Sequence, residues 1–144
     1  MESVKLTHDE GMSFRTNLLN NGMEMMVDAN PEIGGQNTGP RPLELMMTAI
    51  GASCSEIFLN VLAAMPISIQ DLKVEVEGTR AQDHPRVFTE LALTFQLQSD
   101  NCSENVCQDA IHRSQNAWND VFAWCGQSAL VRVRVMLNGS EVAG

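Results

Sequence analysis

Gly39-Pro40-Arg41-Pro42-Leu43-Glu44-Leu45-Met46-Met47-Thr48-Ala49-Ile50-Gly51-Ala52-Ser53-Cys54-Ser55-Glu56-Ile57-Phe58-Leu59-Asn60-Val61-Leu62-Ala63-Ala64 is the stretch on which the fold turns. A stiff Gly-Pro-x-Pro entry leads into a run that reaches Met65 and is stopped by Pro66. From Leu43 onward nearly every helical face is apolar, interrupted by Glu44, Thr48, Ser53, Ser55, Glu56 and Asn60. Such a helix is enclosed on all sides or lies in a bilayer, and its length would just span one. Two carboxylates and an Asn within it, with only Arg41 to anchor an end, argue against a membrane. The expectation is a buried central helix.

The surrounding chain suits a small soluble domain. Its 144 residues fit one domain, 1–144, and are enough to bury a core. Nine Lys and Arg stand against 18 Asp and Glu. That acidity disfavours nucleic acid, whose phosphates require clustered positive charge. Tyr is absent and aromatics are few, so no stacking platform for single strands is expected. Met1-Glu2-Ser3-Val4-Lys5 lacks the basic and apolar regions of a signal peptide. The chain is therefore read as cytoplasmic, with thiols rather than a disulfide framework.

Working outward, residues 2–6 are read as a short edge strand. Met12, Phe14, Thr16 and Leu18 alternate with polar residues as a second strand. Asn20-Asn21-Gly22 is read as a hairpin turn, and Met23, Met25 and Val27 as the return strand. Residues 30–40 form a loop by composition, of a length often found in functional loops. Beyond the central helix, Leu72, Val74 and Val76 share one face of a strand, and Val87, Thr89, Leu91, Leu93, Phe95 and Leu97 one face of the next. Residues 100–103 supply helix-start side chains, with Asn101 three ahead of Glu104 in a capping-box spacing. The helix that follows carries Val106, Ala110, Ile111, Ala117, Trp118, Val121, Phe122 and Cys125 at helical steps and stops at Gly126. Val131, Val133, Val135 and Leu137 alternate as a last strand. The order is β-β-β-α-β-β-α-β, an α+β fold with antiparallel sheets around the central helix.

One constellation looks chemical. Glu44 opens the central helix and Cys54 lies within it, Cys125 lies near the end of the second helix, and arginines stand at 15 and 41. A nucleophilic Cys needs a positive neighbour to lower its pKa, and a carboxylate-held Arg is one way to supply it. Two thiols then complete a peroxide cycle through a sulfenic acid and a disulfide. The plainer alternatives are that Cys54 and Cys125 simply fill core space. Cys102 and Cys107, spaced C-x4-C without a second ligand pair, do not match a zinc site. No metal or other cofactor is expected.

With these residues in view, the chain resembles the family of osmotically inducible protein C and the organic hydroperoxide resistance proteins (OsmC/Ohr). Gly34-Gly35, residues 39–47 and 49–55, Asp83-His84-Pro85-Arg86-Val87-Phe88-Thr89 and the closing strand carry the likeness. The resemblance implies an OsmC-like intertwined homodimer in which two subunits enclose each central helix. It implies a thiol-dependent peroxidase that reduces organic hydroperoxides or hydrogen peroxide, draws on a thiol reductant and serves oxidative-stress defence. Cys54 is then the attacking thiol, Cys125 the resolving one, Arg15 or Arg41 the activating cation, and Glu44 the group that orients it. Two departures stand out. The family's reactive Cys lies eleven residues after the Pro that opens the helix, which here is Ser53, unless a π-bulge restores the register of Cys54. Counting back from Gly126 and Val131 places Trp118 near the family's resolving position, with Cys125 about 10 Å further along the axis. The alternative function is a non-catalytic OsmC-like dimer that binds a small apolar ligand or a partner.

Overall fold

A computed structural model describes residues 3–18, 22–125 and 129–143, the side chain of Cys125 excepted. The fold is α+β, with two long helices and two sheets. The chain divides into two compact units, Met1–Met46 and Met47–Gly144.

The first unit is a three-stranded antiparallel meander: β1 (Val4–His8), β2 (Phe14–Leu18) and β3 (Met23–Val27). Asn20 and Asn21 of the expected hairpin lie outside the described residues. Gly22 holds φ +68 and donates its N–H to the Leu18 carbonyl, as a tight turn requires. The interior of this unit is unusually polar: Ser13, Thr16 and Asp28 are buried beside Val27. Asp28 is the hub. Its two carboxylate oxygens accept the backbone N–H groups of Ala29, Gln36 and Thr38 and the Thr38 hydroxyl. One buried side chain thus ties down the loop that leads to the central helix. A Cβ on Gly35 or Gly39 would collide with the carbonyls of Ala29 and Met26, which is why this loop is glycine-rich.

The second unit holds β4 (Asp71–Arg80), β5 (Phe88–Gln98), β6 (Leu130–Leu137) and β7 (Ser140–Val142), paired in that order. β4 and β5 are antiparallel, as are β6 and β7, but β5 and β6 run parallel. The antiparallel expectation fails at that one pairing because the chain leaves β5 through a helix, and a crossover of that length returns the next strand in the same direction. The strand face also shifts. A register slip opposite Thr79 and Arg80 adds a residue to one strand and reverses the in–out alternation beyond it. Phe88 is therefore buried, while Val87 is exposed and precedes the strand. β7 was not anticipated. It follows a tight Asn138–Gly139 turn in which both residues take positive φ.

The central helix, α1, runs from Pro42 to Ala63. It ends two residues earlier than Pro66 alone suggested, because Ala64 and Met65 bond back three residues, to Val61 and Leu62, and tighten the last turn. The second helix, α2, spans Glu104–Phe122, and Ala123–Cys125 continue it as a 3-10 turn. Its N-cap is Ser103, whose hydroxyl accepts the Val106 N–H. This falls within the expected start at residues 100–103; Asn101, at the capping-box spacing, instead accepts the Ser68 N–H through its side chain. The expected stop at Gly126 lies outside the described residues.

The core of the second unit is built on Phe95. Phe58 of α1 meets its ring at 5.4 Å and Trp118 of α2 stacks on it at 5.3 Å. Leu91, Leu93 and Leu97 of β5, with Val135 and Leu137 of β6, complete the floor.

Candidate functional site

Cys54 lies on the covered stripe of α1. Ile50, Gly51, Cys54, Phe58 and Leu62 are the buried residues of that helix, mostly four apart and so on one ridge. Cys54 has no exposed surface and belongs to the hydrophobic core cluster. The Trp118 indole N–H donates to the Cys54 carbonyl at 2.9 Å. Packing around this turn is close: a Cβ on Gly51 would come within 2.7 Å of Val76 Cγ2. Ser55 returns its hydroxyl to the Gly51 carbonyl at 2.7 Å.

α1 is α-helical throughout, so no π-bulge brings Cys54 round to the place of Ser53. Ser53, half-buried, therefore faces a direction about 100° from Cys54. Of the two adjacent positions, the thiol is the one turned into the protein's own core.

Glu44 and Arg41 are brought together, through the backbone. The Glu44 carboxylate accepts the Arg41 N–H at 2.9 Å. Arg41 precedes Pro42, the first residue of the helix, so Glu44 is the third and forms the reach-back half of a capping box. Its negative charge also suits the N-terminal end of the helix dipole. Cys54 is ten residues further along the helix, a rise of about 15 Å.

Arg15, on β2, pairs with Asp9 at 3.1 Å, each side chain about half exposed. It also borders a small depression of about 220 Å³ with Glu24, Met25 and Met26. Cys125 ends the 3-10 turn after α2, and its side chain lies outside the described residues. Among the described residues, no group of three or more His, Cys, Asp or Glu is placed to hold a metal ion.

Asp28 and the α2–β6 groove were not singled out from the sequence. The Thr38 N–H holds the Asp28 carboxyl far below the usual carboxylate range, with the Gln36 and Ala29 N–H groups and the Thr38 hydroxyl adding to it against burial. A lone Asp before a loop carries little sign of this, because its donors lie one to ten residues away in an irregular segment. The groove, of about 520 Å³, is lined by Ile111, Trp118, Asn119, Val133, Arg134 and Glu141 among others.

The model of the OsmC-like protein family matches residues 35–118. No curated protein matches the sequence. Among solved structures, an OsmC-like protein from Mycoplasma pneumoniae is similar over 95% of this chain and 96% of its own, with a TM-score of 0.80 and 19% identity. A hypothetical protein from Aquifex aeolicus gives 0.78 at 18% identity over 95% and 96% of the two chains. An organic hydroperoxide resistance protein from Legionella pneumophila gives 0.68 at 14% identity over 94% and 96%. At these identities the similarity speaks for the fold. With the family match covering more than half of its length, the chain belongs to the OsmC-like family.

Proposed function

We propose that this protein is a cytoplasmic OsmC-like homodimer that binds a small ligand and does not run a two-thiol peroxidase cycle. Enclosure of Cys54 in the core, with Trp118 bonded to its backbone, is the observation that carries this reading. A peroxidatic sulfur must meet its substrate, and a sulfur with no exposed surface is closed to it. The groove beside Trp118, lined by aliphatic side chains together with Asn119 and the Arg134–Glu141 ion pair, has the size of a small-ligand site.

In this reading residues 1–144 act as one OsmC-like domain, and a second copy covers the outer face of α1. That helix is apolar on nearly every side, yet only five of its residues are buried within the chain. Leu43, Met46 and Leu59 stay exposed. Its length and apolarity also meet the requirement for a membrane span. Glu44 and Glu56 and the ridge packed on Phe95 favour a protein partner instead.

A second reading is favoured by family membership and by structural neighbours described as organic hydroperoxide resistance proteins. In it Cys54 reduces organic hydroperoxides or hydrogen peroxide at the expense of a thiol reductant. Arg15 or Arg41 activates it, Glu44 orients the Arg, and Cys125 resolves. Steady-state reduction of cumene hydroperoxide with dithiothreitol, combined with dimedone trapping, separates the two. The binding reading expects turnover no faster than free cysteine and no rapid label at Cys54. Fast turnover that disappears in Cys54→Ala overturns it.

A further inference from the structure

Cys102 and Cys107 have no part in either reading, and the fold sets them against each other. Ser103 is the N-cap of α2 with an extended backbone (φ −80, ψ 161). Cys102 is therefore the residue before the cap and Cys107 the fourth helical residue. These two positions touch in the hydrophobic staple that fixes the entry of a chain into a helix. Here both are thiols, near enough for each to influence the other's proton affinity. Cys102 also directs its Sγ to the Ser103 carbonyl at 3.6 Å. Both belong to the core cluster, Cys107 with no exposed surface and Cys102 with 8%.

We propose that Cys102 and Cys107 are a dithiol that an organic hydroperoxide oxidises to a disulfide across the first turn of α2. Cys102, at the surface end, meets the oxidant. Its sulfur attacks one peroxide oxygen, an S–O bond forms as the O–O bond breaks, and the other oxygen leaves as an alcohol after taking a proton. Cys107 then attacks the sulfenic sulfur. An S–S bond forms, the S–O bond breaks, and hydroxide departs with the Cys107 proton as water. The pair loses two electrons, and one hydroperoxide becomes one alcohol and one water.

Burial pushes both thiols up, Cys107 further because Cys102 and Glu104 face it. The oxidation is consequently slow and records sustained exposure, as thiolate supply limits it. The product is a covalent staple in place of an apolar one, and it holds the start of the helix that carries Trp118.

The test is peptide mapping of the intact, folded protein after hours in cumene hydroperoxide, with hydrogen exchange read in parallel. The expected result is a Cys102–Cys107 cross-linked peptide that dithiothreitol reverses, with slower exchange in the first turns of α2. Cys102→Val keeps the staple apolar and is expected to abolish the cross-link. Failure of the wild-type protein to form this linkage while other cysteines oxidise overturns the proposal. So does Cys107 oxidation that proceeds unchanged in Cys102→Val. Neither readout depends on peroxide turnover or on Cys54, so the proposal stands or falls apart from the function proposed above.

Discussion

The Trp118 indole N–H reaches across from α2 to the carbonyl of Cys54 in α1, at 2.9 Å, with both residues buried. This bond, together with the Phe58–Phe95–Trp118 ring cluster, locks one turn of each helix to the other.

Trp118→Phe is expected to keep most of the ring packing and lose the donor, at a cost of about 1–2 kcal/mol. Trp118→Ala is expected to cost about 3–5 kcal/mol. Urea denaturation followed by circular dichroism checks both, and a Trp118→Phe variant as stable as the wild type would show that the indole N–H contributes nothing.

At Gly51 two effects oppose each other. Alanine favours a helix interior by about 1 kcal/mol over glycine. A Cβ there lies 2.7 Å from Val76 Cγ2, and overpacking typically costs about 1–3 kcal/mol. Gly51→Ala is expected to destabilise by about 1 kcal/mol, and Val76→Ala in the same chain to remove most of the penalty. A double-mutant cycle in urea measures the coupling.

Burial, helped by Cys102 and Glu104, pushes the Cys107 thiol up to about 11. Because its folded value exceeds the unfolded one, stability is fully present below the unfolded thiol's value and is lost as pH rises toward 11. Native-state alkylation by iodoacetamide at Cys107 is expected to rise about tenfold per pH unit from pH 8 to 10. A plateau near pH 8.5 contradicts this.

Asp28 titrates with the opposite sign. Its folded carboxyl is held below the usual range, so its contribution is present above about pH 4 and lost as pH falls through the folded value. Asp28→Asn is expected to lower stability at neutral pH and to flatten the acid limb. Urea midpoints from pH 2 to 7 for both proteins test it.

If a second copy covers α1, Leu59→Lys places a charge in that interface. Losing a buried Leu contact of about 1.5–3 kcal/mol weakens dimerisation at least tenfold. Light scattering across a dilution series is expected to show a dimer for the wild type and a monomer for the variant. A wild-type monomer at all concentrations refutes the dimer.

The local periodicities of the chain were legible. The spacing of Leu91, Leu93, Phe95 and Leu97, and of Ala110, Ile111, Trp118 and Val121, marks buried faces correctly. Those patterns depend only on the geometry of one element. The slip before Phe88 was hidden because it arises from pairing with β4. The helix start was placed within residues 100–103, where several side chains offer suitable oxygens, and only the turn of the backbone selects Ser103 as the cap.

The amino-acid sequence alone determined the element order through β6 and the likeness to the family, and counting along it marked Ser53/Cys54 and Trp118 as expected departures from the family pattern. Tertiary structure decided which way Cys54 and Trp118 turn. Whether a sulfur faces a cleft or a core depends on which ridge of α1 lies against Phe95. A helix apolar on nearly every face carries no signal of which side that will be. The parallel pairing of β6, the Asp28 hub and the contact of Cys102 with Cys107 share this origin: each is set by residues that meet only once the backbone has turned.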